Sequence, residues 1–142
     1  MGNLNAFLNP AYHERKIELV LGDRFLDEEG NPVPIVMHSL TMEKLQECAR
    51  ASMKSKKVNG VEVSSIDSTE NINRCLVESI SFPDLRNTDL CRKYKTELPW
   101  ELPPKLFLAD EYNRITQAFA KLNGIDLNND GFSEIAGEVT KN

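Results

Sequence analysis

Histidine, cysteine and tryptophan are scarce in this chain, at two, three and one in 142 residues. His13 and His38 stand apart from any motif, and a lone histidine is more often a satisfied or surface side chain than a catalyst. No G-x-S-x-G, P-loop, GxGxxG or H-E-x-x-H pattern is present, so the sequence offers no nucleophile elbow, phosphate cradle or zinc helix. The expectation is a protein that is not an enzyme and uses no cofactor. Cys48, Cys75 and Cys91 are odd in number and widely spaced, with no CxxC pair. They read as small buried side chains in a reducing compartment rather than as a disulfide frame. No apolar run approaches the roughly 20 residues needed to span a bilayer, and the first residues lack the charged-then-apolar pattern of a secretory signal. A cytoplasmic protein without a membrane partner is expected.

Clustered positive charge is also missing. The net charge is -5, and residues 58–142 carry nine basic against fourteen acidic groups while residues 1–57 balance at eight each. This argues against nucleic acid as a partner, because phosphate neutralisation needs grouped Lys and Arg. The one basic cluster, Lys54, Lys56 and Lys57, falls where a helix is expected to end, and cations there favour the helix dipole.

What is present is periodic. In residues 103–124, Leu108, Tyr112, Ile115, Phe119 and Leu122 recur at steps of four and three, the stripe of an amphipathic helix. Pro103 and Pro104 suit its start and Asn123-Gly124 its end. Ile17, Leu19 and Leu21 alternate with polar or smaller residues, as do Val33, Ile35 and Met37, and together they predict an N-terminal β-hairpin. Pro32 and Pro34 place its second strand at an edge. Thr41 caps a helix expected to run to about Lys57, with Met42, Leu45, Cys48, Ala49 and Met53 inward. Asp67-Ser68-Thr69-Glu70 reads as a capping box for the next helix, closed by Phe82-Pro83. Asn87 or Thr88 caps a short one through about Lys95, and Trp100 lies in the proline-broken connector that follows. The fold class expected is α+β and mostly helical, a hairpin followed by about four helices in a single domain. Residues 1–14 form an arm, 15–125 the domain and 126–142 a flexible polar tail.

Two constellations invite chemistry. Asp126, Asn128 and Asp130, followed by Gly131, resemble the first half of a calcium loop. The second half departs from it, since Ser133 takes the apolar eighth position and Gly137 the bidentate twelfth. A plain polar tail is the expectation, with a calcium-binding adaptor as the alternative. Glu97, Glu101, Asp110 and Glu111 crowd the start of the long helix, where acids complement its dipole.

Phe82-Pro83-Asp84-Leu85, then Leu90 through Tyr94, then Leu106 through Tyr112 and Leu122-Asn123-Gly124 occur in an order that resembles the XkdN-like tail assembly chaperones of contractile-tailed phages and prophages of Gram-positive bacteria. The resemblance covers residues 15–125, and Ala109-Asp110-Glu111-Tyr112 stands where the family usually has Gly-Glu-Tyr. It implies a non-enzymatic chaperone in the host cytoplasm, absent from the finished virion, that binds the tape measure protein before tail-tube subunits polymerise. It further implies a homo-oligomer and a longer form made by frameshifting. A structural tail component is the other reading. Trp100, Leu102, Leu106 and Phe107 are the expected partner-binding residues, as exposed apolar surface. For Trp100, a local lid over the helix start is an equal alternative.

Overall fold

The structure is a computed structural model, and it describes residues 2–126. It contains α1 (Asn5–Leu8), β1 (Lys16–Leu19), β2 (Ile35–His38), α2 (Met42–Ala51), β3 (Met53–Val58), β4 (Val61–Ile66), α3 (Ser68–Ser79), β5 (Ile80–Phe82), α4 (Thr88–Lys93), a 3-10 turn (Pro99–Glu101), α5 (Pro103–Leu106) and α6 (Ala109–Asn123). The class is α+β.

β1 and β2 pair antiparallel in the register Ile17↔Met37 and Leu19↔Ile35. β5 adds to the other side of β2, giving the strand order β1-β2-β5. The second strand is therefore central, not at an edge as its prolines suggested. Pro32 and Pro34 precede Ile35 and so remove no donor from the ladder. Ile35 and Met37 point into the core, which continues through Leu76, Leu85, Leu102, Ile115 and Phe119. α3 runs through the middle, packed against α2, α6 and the 3-10 turn.

Local chemistry explains the helix ends. Thr41 Oγ1 accepts from Lys44 N at 3.2 Å, Asp67 Oδ1 from Glu70 N at 3.0 Å and Asn87 Oδ1 from Leu90 N at 3.1 Å. Each side chain satisfies a first-turn donor that has no partner within its own helix. Gly124 stops α6 in the left-handed region, with φ 69°.

Three expectations are corrected. The helix from Thr41 ends at Ala51, not Lys57. Met53 and the three lysines belong instead to a two-stranded hairpin, β3–β4, turned by Asn59 and Gly60 at φ 53° and 80°. Asn-Gly between alternating residues is a strong hairpin signal, and it outweighs helix propensity in Lys54–Lys57. The helix expected over 103–124 is broken at Phe107 and Leu108 into α5 and α6. Leu108 leaves the stripe and is 53% exposed, while Ile115, Phe119 and Leu122 are buried as the spacing predicts. In the arm, Phe7 and Leu8 are 84% and 67% exposed.

Candidate partner-binding cleft

The break between α5 and α6 is held by an ion pair from a distant part of the chain. Glu111 sits in the first turn of α6 with its side chain only 4% exposed. It accepts from Leu108 N at 2.8 Å and from Arg24 Nε and Nη2 at 3.0 and 2.9 Å. Arg24 Nη2 also donates to the Leu106 carbonyl at 2.6 Å. The hydrogen bonds from Arg24 hold the Glu111 carboxyl below the usual carboxylate range, against the opposing effect of burial. A dipole complement was expected of this acid. What it does is cap α6 and tie the β1–β2 connection to the start of the helix.

That tie positions an apolar cleft. Arg24 stacks over Phe25 at 4.5 Å, and Phe25 meets Phe107 edge-on with ring centroids 6.1 Å apart. Across from them lie Ile35 at the start of β2, and Phe82 and Pro83 at the end of β5. Leu90 of α4 and Leu106 complete a cleft of about 210 Å³ whose lining is almost wholly apolar. Phe82 is 53% exposed at its mouth. Asp84 shapes the turn beyond Pro83 by accepting from Arg86 N at 3.0 Å, and Leu85 is fully buried beneath it.

The expected partner-binding residues do not form an exposed patch. Leu102 is completely buried, and Leu106 and Phe107 are 5% and 6% exposed. The reason is the Pro103-Pro104 helix start: α5 is one turn long, and its apolar residues at i and i+4, Leu102 and Leu106, turn together into the core. Leu106 and Phe107 still reach the cleft from below. Trp100 is half-buried, and the Arg74 guanidinium lies 3.5 Å over its ring while donating to Glu70 at 2.7 Å. The contact is with Arg74 of α3.

Sequence reasoning missed Phe25, Phe82 and Pro83 as cleft residues and Arg24 as the partner of Glu111. A signal did exist for some of them. Phe82-Pro83, Leu90 and Leu106-Phe107 are among the residues that carried the family resemblance, and the fold gathers them around one opening. Nothing in the sequence pairs Arg24 with Glu111 across 87 positions.

Other openings have mixed polar and apolar walls. A groove of about 850 Å³ lies between residues 12–18 and the end of α6, with Glu14, Arg15, Glu18 and Lys121 in its walls. Cys48 and Cys75 are buried free thiols; Cys75 Sγ donates to Asn71 Oδ1 at 3.8 Å, and the neighbouring Cys48 together with burial pushes the Cys75 thiol up. Among the described residues no group of three or more His, Cys, Asp or Glu could hold a metal ion. Of the calcium-loop candidates, Asp126 is exposed, and Asn128 and Asp130 lie outside the described residues. No helix among the described residues is long and apolar enough to cross a membrane.

Comparison with known proteins points to the same family. The family model described as phage XkdN-like tail assembly chaperone protein matches residues 4–139, beyond 15–125 on both sides. The chain is 31% identical over 113 residues to the uncharacterized protein YqbN of Bacillus subtilis, covering 78% of this chain and 76% of that protein. It is 30% identical, with the same coverage, to the phage-like element PBSX protein XkdN of Bacillus subtilis. The crystal structure of YqbN superposes with a TM-score of 0.69 at 25% identity, over 85% of this chain and 96% of that one. With residues 4–139 matched, the chain belongs to the phage XkdN-like tail assembly chaperone family.

Proposed function

We propose that this chain is a non-enzymatic tail assembly chaperone that holds an apolar helical segment of the tape measure protein in the cleft between Phe25, Phe82 and Phe107. The observation that carries the reading is the cleft itself, an almost wholly apolar opening on an acidic molecule. An amphipathic helix is recognised by laying side chains at i, i+3 or i+4 into such an opening. The cleft admits one or two of these side chains, and the exposed ring of Phe82 adds a face for the next. Binding of this kind keeps an aggregation-prone chain in solution until polymerising tail subunits replace the chaperone. On this reading the protein acts in the host cytoplasm and outside the finished virion, and any frameshifted longer form presents the same cleft.

Co-expression with a tape measure fragment from the same phage or prophage is the test. The wild-type chain is expected to co-purify with the fragment, and Phe82→Asp to lose it while remaining folded. Equal recovery with both would remove the cleft from the account. Recovery with neither would remove the partner.

A further inference from the structure

The groove of about 850 Å³ between residues 12–18 and the last turns of α6 lies where the described residues end. Gly124 is one of its wall residues. The left-handed turn there lets Ile125 N donate to the Ala120 carbonyl at 2.7 Å, and the Ile125 side chain is buried. The chain is therefore pinned beside the opening as far as Asp126. Part of the wall is apolar and uncovered. Tyr12 is 59% exposed, and Ile17, Leu40 and Ala118 are only half-buried. Charge does not select an occupant, since Arg15 and Lys121 stand against Glu14 and Glu18.

Residues 127–142 are polar by composition, yet their spacing is amphipathic. Phe132, Ile135, Ala136 and Val139 fall at i, i+3, i+4 and i+7, the stripe of one helix face. Asp130, Glu134 and Glu138 recur at steps of four on the opposite face. Asp130 also suits the cap position ahead of the stripe. The family match runs to residue 139, so it takes in the whole stripe and stops on its last member. We infer that residues 130–139 form an amphipathic helix that docks in the groove of its own chain, laying Phe132, Ile135 and Val139 against Ile17, Leu40 and Ala118.

Reach favours this occupant. Residues 127–129 span at most about 10 Å when extended, and a ten-residue helix is about 15 Å long. A link that short, starting beside the groove, holds the stripe at a high effective concentration there, so modest apolar contact suffices. The same shortness favours the groove of the same chain over that of a second copy. About three turns with Gly137 among them make a marginal helix in isolation, so the helix forms against the wall or not at all. Docking ties residues 12–18 to the end of α6, and it does not rest on the cleft reading.

Hydrogen exchange of the full chain tests it. In the wild type, amides of residues 135–139 are expected to exchange about tenfold or more slowly than in an unstructured peptide, as a docked population of about ten to one requires. Ile135→Asp in the tail and Ala118→Glu in the wall are each expected to return that stretch to the unstructured rate and to speed exchange at residues 12–18, with α3 unchanged. Should Ala118→Glu also loosen α3, Ile135→Asp decides alone. Asn113→Asp adds the same charge to an exposed site of α6 outside the groove and is expected to change nothing. Tail amides that exchange at the unstructured rate in the wild type overturn the inference. So does protection that survives Ile135→Asp, or that Asn113→Asp removes as fully as Ala118→Glu. Protection that grows with protein concentration would put the helix in a second copy and overturn docking within one chain.

Discussion

The cleft at the end of the three-stranded sheet and the β3–β4 hairpin both present apolar side chains to solvent, and they are built in opposite ways. Around the cleft, Arg24, Phe25, Leu106, Phe107 and Glu111 come from segments more than 80 residues apart and are locked by ionic, aromatic and backbone contacts. The hairpin is local. Its strands are neighbours in sequence, its turn supplies the geometry, and the body lends it little beyond the Lys54–Glu70 pair at 2.9 Å. Long-range packing yields a preorganised opening that costs little further ordering when a partner enters. Local pairing yields an arm that can open without unfolding the rest.

That contrast can be broken most forcefully by truncating one side chain on each side. Phe107→Ala is expected to destabilise the fold by about 3–5 kcal/mol, the usual loss for a buried aromatic. Val61→Ala on the hairpin should change stability by less than about 0.5 kcal/mol, as exposed positions do. Urea unfolding of the two variants measures the gap, and equal effects would erase the distinction.

Glu111→Gln comes next. It keeps the shape of the tie but removes its charge, and is expected to cost about 1–3 kcal/mol near neutral pH because Arg24 and Leu108 N lose an ionic acceptor. Since the folded carboxyl is held below its ordinary value, its contribution is complete above the unfolded value of about 4.3. It is lost as pH falls through the lower folded value. Melting temperatures followed downward from pH 6 should therefore converge for wild type and variant in acid. A constant gap would show that the charge of Glu111 is not the source of the stabilisation.

Phe82→Asp separates the surface of the cleft from its frame. Stability should shift by less than about 1 kcal/mol because the ring is half exposed. Affinity for a tape measure fragment should drop about tenfold or more, as it does when an anchoring aromatic is lost. The smallest global effect is expected at Gly60, where φ of 80° disfavours any side chain. Gly60→Ala should speed hydrogen exchange at residues 53–66 while leaving exchange in α3 and α6 as it was. Faster exchange everywhere would mean the hairpin is bound into the core after all.

The same division decides what could be read from residues alone. Caps at Thr41, Asp67 and Asn87 and the stop at Gly124 depend on neighbours within four positions, and their side chains announce them. Ile115, Phe119 and Leu122 are legible because helical spacing carries their burial. β5 was not legible: Ile80-Ser81-Phe82 is three residues long, continues directly from α3, and becomes a strand only because β2 offers an edge. The Arg24–Glu111 tie has no local mark, and without it the break at Phe107 looks like an uninterrupted helix. Asn59-Gly60 was legible in principle. Extending the helix from Thr41 to Lys57, rather than ending it ahead of a type I′ turn at Asn59-Gly60, put the lysines on the wrong element. For the cleft, the ordered motifs pointed to the right residues without saying that they meet.

The central claim is that a partner helix enters the opening walled by Phe25, Phe82 and Phe107. Hydrogen exchange of the full chain with and without a tape measure fragment addresses it most directly. The account predicts new protection at residues 24–26, 33–35 and 80–90. Protection confined to the groove around Glu14 and Lys121, or to no part of the chain, would contradict it.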